Sequence, residues 1–233
     1  MTMTANELRA AQYDITEEIY RWAKDKGLSI KDELEPITDG VADAEAYLAS
    51  SPKVMWVLKE PYDALDNDQP CGGGWSITDH CFAKIQQKPV ALTWHCIVYV
   101  MYGIRHGIKW KEMPRIRQDK SIANILKEIA YINVSKMPNK TKTSDSKLRH
   151  FYEIWKEILW KQIDLYNPDV IIFGATLQFF LNDFAQKGDL REVREHDVWA
   201  WNDKLLVSAY HPQRKGEEYV DNLIDIITSN YNP

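Results

Sequence analysis

The chain has 233 residues, 45% of them hydrophobic and 27% charged, which is enough to bury a sizeable core. The net charge is −5, and no run of 18 apolar residues occurs, which argues against a membrane-spanning helix. Three cysteines without metal-ligand spacing, and an N-terminus without the apolar core of a signal peptide, lead us to expect a cytoplasmic protein without a disulfide framework.

The first half of the chain predicts one long helix and one buried strand. Apolar residues recur at helical spacing over residues 6–26, and Gly27 follows as a helix stop. Residues 53–58 ("KVMWVL") form the first apolar run of strand length. The glycine-rich loop "CGGGWSITD" comes next, and residues 79–101 have helical traits.

The second half predicts three further strands separated by helices. Apolar, β-branched runs occur at 129–134, 169–173 and 204–210. The segment 148–165 carries an apolar face at helical spacing, and a closing helix is predicted near 217–229. Apolar strands that do not alternate and that are separated by helices are typical of a mostly parallel sheet covered on both faces.

Four groups follow the ends of these strands, namely Glu60, Asn133, Gly174 and His211. Because right-handed crossovers bring the carboxyl ends of parallel strands to one edge, where ligands bind in α/β sheets, we expect the four to converge. Glu60 can act as a general base toward water or stabilise a developing cation. Asn133 offers a donor and an acceptor for one edge of a nucleobase or another amide-like ligand, and His211 can donate to a carbonyl oxygen.

Each of these residues also has a simpler interpretation. Glu60 can be a surface acid, Asn133 a turn cap and His211 a satisfied histidine at the end of a strand. Trp75, which follows three glycines and can stack on a planar ring, can equally belong to the core. Their expected position at one edge of the sheet favours a functional site.

Five segments together resemble the motifs of the uracil-DNA glycosylase superfamily, in the order in which that family has them. They are "VMWVLKEPYD", "CGGGWSI", "YINVS", "NPDVIIFGA" and "SAYHPQRKG", spread over residues 53–227. The resemblance implies a three-layer α/β/α sandwich with a central four-stranded parallel sheet. It would form a single domain over residues 1–233, with an N-terminal helical extension at about 1–28.

The resemblance also implies roles for individual side chains in removing a flipped base from DNA. Glu60 would position or activate water, and His211 would stabilise the oxygen of the departing base. Tyr62 would form the wall that excludes a 5-methyl group, Trp75 would stack on the base, and Asn133 would read its edge. No metal or cofactor is implied.

The distribution of charge predicts how DNA would be bound. Residues 105–149 contain 12 Lys or Arg and 4 acidic residues, a local balance of +8 that is typical of a surface for phosphates but also of a solvated helical surface. The residues expected to contact DNA are Lys136, Lys140, Lys142, Arg214 and Lys215. Two alternatives to a glycosylase stay open: a nucleic-acid or nucleotide-binding module of the same fold, and a small-molecule enzyme that reuses the pocket.

Overall fold

A seven-stranded sheet forms the centre of the computed structural model, which describes residues 3–30, 33–87, 89–139 and 143–231. The strands are β1 (Ile37–Thr38), β2 (Gly40–Val41), β3 (Val54–Leu58), β4 (Ala64–Asp66), β5 (Gln69–Cys71), β6 (Trp75–Ser76), β7 (Ala130–Asn133), β8 (Val170–Gly174), β9 (Leu190–Arg194), β10 (Val198–Trp201) and β11 (Lys204–Ala209). The central sheet has the order β2, β7, β3, β8, β11, β10, β9, whereas β1 pairs with β6 and β4 with β5 in two small separate sheets.

Six α-helices accompany these strands in the described ranges. They are α1 (Ala5–Asp25), α2 (Ala44–Ala49), α3 (Leu92–His106), α4 (Asp145–Tyr166), α5 (Leu177–Lys187) and α6 (Glu217–Asn230). A π-helical turn (Thr78–Phe82) and two 3-10 segments (Trp110–Glu112 and Lys120–Glu128) complete the described helices. None of the helices in the described ranges is both long and apolar enough to cross a membrane.

Helices cover both faces of the sheet. Successive side chains of a strand point to opposite faces, and every residue of β3 and β8 is buried, so both faces are covered. Trp56 packs into one cluster with residues of α3, α6 and the 3-10 segment 120–128. Val57, its neighbour in β3, packs into the other cluster with residues of α1, α4 and α5. The α/β class with two helical layers is therefore confirmed.

The sheet differs from the four-stranded parallel sheet that we expected, because it has seven strands and is mixed. The inner pairings β7–β3, β3–β8 and β8–β11 are parallel, but β2, β10 and β9 add antiparallel pairings at the two margins. Only two residues of β2 pair, and β9 is a mostly exposed, charged edge strand. Neither carries the apolar run by which the inner strands were recognised.

The N-terminal helix α1 packs against α4 in one helical layer. Leu8 and Ile19 are buried in the same cluster as residues of α4. The Trp22 indole N–H donates to the backbone oxygen of Ile154 at 2.9 Å. At its start, Thr4 and Glu7 form a reciprocal capping box, which explains where the helix begins.

Candidate active site

Glu60 and Asn133 lie at the carboxyl ends of the neighbouring parallel strands β3 and β7. Leu58 of β3 and Tyr131 of β7 belong to the cluster beneath α3 and α6. Asn133 is two residues after Tyr131 in the same strand, and Glu60 is two residues after Leu58. Since side chains two residues apart in a strand face the same way, the Asn133 amide points toward the α3–α6 side. Glu60 lies beyond the end of β3, beside Thr143 and Lys147 at the start of α4. Leu58 pairs in register with Asn133, so the two strands end at the same level.

Hydrogen bonds beyond the strands hold the Glu60 turn against the loop after β7. The backbone N–H groups of Val134, Ser135 and Asn139 donate to the backbone oxygens of Leu58, Lys59 and Pro61 at 2.9, 2.9 and 3.1 Å, respectively. The turn therefore has a fixed position relative to the end of β7.

Gly174 at the end of β8 allows the His211 segment to approach β3. A Cβ atom at this position would lie 2.4 Å from Leu58 Cδ2, 3.3 Å from Pro212 Cδ and 3.7 Å from His211 Cα. The first distance is shorter than real carbon contacts, so a larger residue would displace the Leu58 side chain. Because glycine has no side chain, the backbone of His211 and Pro212 can lie close to the end of β3, which Glu60 follows.

The Asn133 side chain is completely buried, yet its amide is unused. Neither Oδ1 nor Nδ2 has a hydrogen-bond partner among the described residues. Its backbone N–H, in contrast, donates to Asp39 Oδ2 at 2.8 Å. Tyr131 and Trp94 lie nearby. Burial raises the pKa of the Tyr131 hydroxyl, and the side chains of Trp94 and Asn133 act in the opposite direction. The Asn133 amide does not, however, meet the geometry of a hydrogen bond to either residue. A buried amide in this state has its full pairing capacity available for a ligand.

Glu60 is a partly buried carboxylate with one free oxygen. Burial raises its pKa, while a hydrogen bond from Thr143 and the charges of Lys59 and Lys147 act in the opposite direction. Its Oε2 atom is buried and has no partner within the described parts of the chain. This oxygen can accept a hydrogen bond from water or face a developing positive charge.

His211 is held as a neutral ring. Burial, and then the nearby positive charges of Lys59 and Lys215, lower its pKa to about 4. Its Nδ1 atom accepts a hydrogen bond of 3.3 Å from the Gln213 backbone N–H, so the proton of the neutral ring is on Nε2. The ring can therefore donate from Nε2 to an oxygen of a ligand. Lys59 influences both Glu60 and His211, which places all three in one electrostatic environment.

Trp75 is positioned by the turn after β3 but lines a different cavity. Its indole N–H donates to Asp63 Oδ2 at 2.9 Å, and the same oxygen accepts from the Gly73 N–H at 2.8 Å. Trp75 lines a cavity of about 340 Å³ with Asp39, residues of α1 and the 74–80 segment, and the described lining of that cavity lacks Glu60, Asn133 and His211. The structure therefore does not bring Trp75 together with the other three groups.

The triple glycine has a structural explanation within the chain. A Cβ atom at Gly73 would lie 1.8 Å from the backbone oxygen of Glu35, and all three glycines have positive φ. The loop packs tightly against residues 33–36, with hydrogen bonds such as Gly74 N–H to Pro36 O at 2.9 Å. The close approach that glycine permits here is to the protein's own backbone.

Tyr62 does not form the closed wall that we expected. Its side chain is 56% exposed, although Pro61 before it is buried. A ring this exposed cannot exclude a methyl group from a pocket in this conformation.

Lys136 was expected at a DNA surface, and this prediction is wrong. Its side chain is fully buried, and its ammonium group donates to Asp39 Oδ1 and Oδ2 at 2.7 and 2.9 Å and to Gln162 Oε1 at 2.7 Å. A buried lysine with three partners cannot contact a phosphate. Lys140 and Lys142 lie outside the described residues.

Arg214 and Lys215 are exposed in the loop after His211. The loop is held to α3, because the Cys96 thiol donates to the backbone oxygen of Lys215 at 3.1 Å. The Lys215 ammonium group lies 4.9 Å from the centre of the Tyr210 ring, which is 75% exposed. Cationic and aromatic groups are therefore available to a ligand beside His211.

The basic segment 105–149 does not form one continuous face. Arg105 pairs with Glu128 at 2.7 Å and donates to the backbone oxygen of Ser51 at 3.1 Å, just before β7 and β3 begin, so it lies at the opposite edge of the sheet. Lys109 and Lys111 pair with acidic residues of α6. Counting charged residues along the sequence could not reveal that several of these cations form ion pairs with acidic residues.

Four residues that contribute to the site could not be identified from the sequence: Asp39, Asn139, Thr143 and Lys147. Each acts through a contact with a segment distant in sequence or with the Glu60 turn. The weak signal in the sequence is the polar tract over residues 135–147, which follows the apolar run 129–134. In the described ranges, no group of three His, Cys, Asp or Glu side chains is arranged to hold a metal ion.

Comparison with protein-family models and with curated proteins finds no match to this chain.

Proposed function

We propose that this protein hydrolyses the N-glycosidic bond of a flipped base in DNA, with uracil or a related damaged base as the substrate, in the manner of a uracil-DNA glycosylase. One observation carries the proposal. A free carboxylate oxygen of Glu60, the buried unused amide of Asn133 and the neutral ring of His211 occur at one edge of a sheet whose four inner strands are parallel. These are the groups that recognising and releasing a nucleobase require.

Asn133 recognises the base. Its amide offers one acceptor and two donor hydrogens, which complement the alternating N–H and carbonyl groups of a pyrimidine such as uracil. The complete burial of this amide makes recognition selective, because a base that failed to pair would leave the amide unsatisfied in a desolvated site.

Glu60 and His211 act on the bond itself. As the bond between C1′ and the base nitrogen breaks, positive charge develops on the sugar and negative charge on the base. The Glu60 carboxylate stabilises the sugar cation and accepts a proton from the attacking water, while His211 Nε2–H donates to the base oxygen that gains charge. The low pKa of His211 keeps the ring neutral, so that it donates a hydrogen bond without carrying charge.

DNA would approach over the loop that follows His211. Arg214 and Lys215 are exposed there, and Lys59 and Lys147 lie close enough to Glu60 to act on its pKa. These cations provide contacts for phosphates around Glu60 and His211.

The proposal is tested with uracil-containing oligonucleotides, single-stranded and double-stranded, incubated with the protein and then cleaved with alkali at abasic sites. We expect the wild-type protein to produce scission, and Glu60→Gln and His211→Gln to lower the single-turnover rate by about 10²–10⁴-fold each. Glu128→Gln is the matched control, since Glu128 is a glutamate at the opposite edge of the sheet.

Retention of the wild-type rate in Glu60→Gln would contradict the proposal. DNA binding without scission would instead favour the non-catalytic module, and binding that does not weaken as salt rises would remove DNA as the ligand.

A further inference from the structure

A chain of three side chains leads from the first turn of α4 to Glu60. The Lys147 ammonium group donates to Asn139 Oδ1 at 3.0 Å, and Asn139 Nδ2 donates to Thr143 Oγ1 at 2.9 Å. The Thr143 side chain in turn lies beside the Glu60 carboxylate and acts to lower its pKa.

Every hydrogen bond in the chain has a defined direction. Lysine can only donate, so it orients the Asn139 amide with its oxygen toward Lys147 and its nitrogen toward Thr143. That nitrogen uses a lone pair of the Thr143 oxygen and leaves the hydroxyl hydrogen for Glu60. An aligned series of donors that begins at a cation and ends at a carboxylate polarises each of its members in the same sense.

This series of hydrogen-bonded side chains is attached to the rest of the protein at both ends. The Asn139 backbone N–H donates to the backbone oxygen of Pro61 at 3.1 Å, directly after Glu60. Thr143 immediately precedes Ser144, whose side chain caps α4 by accepting from the Lys147 N–H. Asn139 itself is buried, with 3% of its surface exposed. The relay therefore connects the turn after β3 to the positive end of a 22-residue helix.

We infer that Lys147, Asn139 and Thr143 form a positioning relay for Glu60, in which the Thr143 hydroxyl donates to the carboxylate and Oε2 stays free for the reacting water. This inference rests on the proposed role of Glu60. Burial alone would favour the protonated acid, which cannot accept a proton, and the relay opposes that tendency together with the charge of Lys59. None of the three relay residues needs to touch the substrate.

The test is the pKa of Glu60, measured by NMR on the full chain with ¹³C-labelled glutamate, with Glu60→Gln to assign the signal. We expect Thr143→Val and Lys147→Met each to raise the Glu60 pKa. Thr143→Ser, which keeps the hydroxyl, should restore the wild-type value. Lys161→Met is the matched control, since Lys161 is on the same helix but pairs with Glu18.

The double variant distinguishes a relay from separate effects. If the two groups act through one chain, Thr143→Val with Lys147→Met raises the pKa by less than the sum of the two single increases. Increases that add, or no increase in either single variant, would overturn the inference. Lys147 is exposed, so its substitution leaves a folded protein to measure.

This readout does not depend on catalysis. If the protein cleaves uracil-DNA, the acid limb of its pH–rate profile should move to higher pH together with the Glu60 pKa. On that limb, a tenfold weaker acid has a tenfold smaller ionised fraction, so the rate at a given pH should fall about tenfold. Cleavage with an unchanged Glu60 pKa in the variants would overturn the relay alone. A raised Glu60 pKa without cleavage by the wild-type protein would support the relay and overturn the proposed function.

Discussion

Asn133 and Asn139 are two buried amides that differ completely in their partners. Asn139 accepts from Lys147 and donates to Thr143. Asn133 uses neither side-chain atom within the described residues. An unsatisfied buried polar group costs about 1–3 kcal/mol, so the fold retains Asn133 at the expense of its stability. Such a cost is typical of residues kept for a ligand.

Substitution by leucine separates the two cases. Asn133→Leu removes the unsatisfied atoms with a side chain of similar shape, and we expect the free energy of unfolding to rise by about 1 kcal/mol while base binding is lost. Asn139→Leu leaves Thr143 and Lys147 without their partner, so we expect it to lower that free energy. Urea denaturation measures both. A loss of stability in Asn133→Leu equal to that in Asn139→Leu would mean that the Asn133 amide is structural.

The burial of Glu60 should make the free energy of unfolding depend on pH. Its pKa in the folded protein is raised above the ordinary value of 4.5, so ionisation favours the unfolded chain. This cost is absent below about pH 4.5 and complete above the folded pKa. Glu60→Gln removes it, and we expect the variant to be more stable than wild type at pH 7, with the difference vanishing as pH falls below 4.5.

Urea denaturation over a pH series measures that difference. Glu128→Gln, which loses an ion pair to Arg105, should show no gain at neutral pH. A Glu60→Gln variant that is less stable than wild type at pH 7 would contradict the raised pKa.

At the scale of elements, a buried network fixes the end of β7. Asp39, in the turn between β1 and β2, accepts from the Asn133 backbone N–H, from Lys136, and from Gln162 Nε2 of α4 at 2.8 Å. Three segments far apart in sequence therefore meet on one carboxylate. The position of the Asn133 strand end depends on this carboxylate remaining paired.

Breaking that pair on one side should be costly. Lys136→Met leaves the Asp39 charge buried without its cation, and we expect a loss of about 3–5 kcal/mol in the free energy of unfolding. Adding Asp39→Asn removes the uncompensated charge and should recover part of the loss. Denaturation of the two variants checks this, and a Lys136→Met variant that loses less than about 1 kcal/mol would contradict the buried pair.

The inner elements could be predicted because their signals are local. The four inner strands lie within one residue of the predicted ranges, since each is an apolar run buried on both faces. The marginal strands β2, β9 and β10 lack that signal, because pairing with a neighbour rather than composition makes them strands. The predicted helix over 79–101 is instead a π-helical turn and the later helix α3.

At the scale of the whole molecule, the sequence predicts which groups stand at the strand ends but not the contacts that hold them there. The rule that parallel strands present their carboxyl ends at one edge sufficed for Glu60, Asn133 and His211. It did not suffice for Lys136, because charge in a sequence gives no sign of a partner 97 residues away. It also failed for Trp75, whose loop packs toward α1. Which charges are exposed at which edge is a property of the folded chain alone.

The most direct test of the central claim, that Asn133 and His211 share one base-binding site with Glu60, is an NMR titration of the protein with free uracil. Labelled asparagine and histidine report the Asn133 side-chain N–H₂ and the His211 ring nitrogens. We expect both signals to move along one saturation curve, and these changes to disappear in Asn133→Leu. Changes confined to Trp75 and His80, which line the cavity beside α1, with Asn133 and His211 unaffected, would contradict the claim.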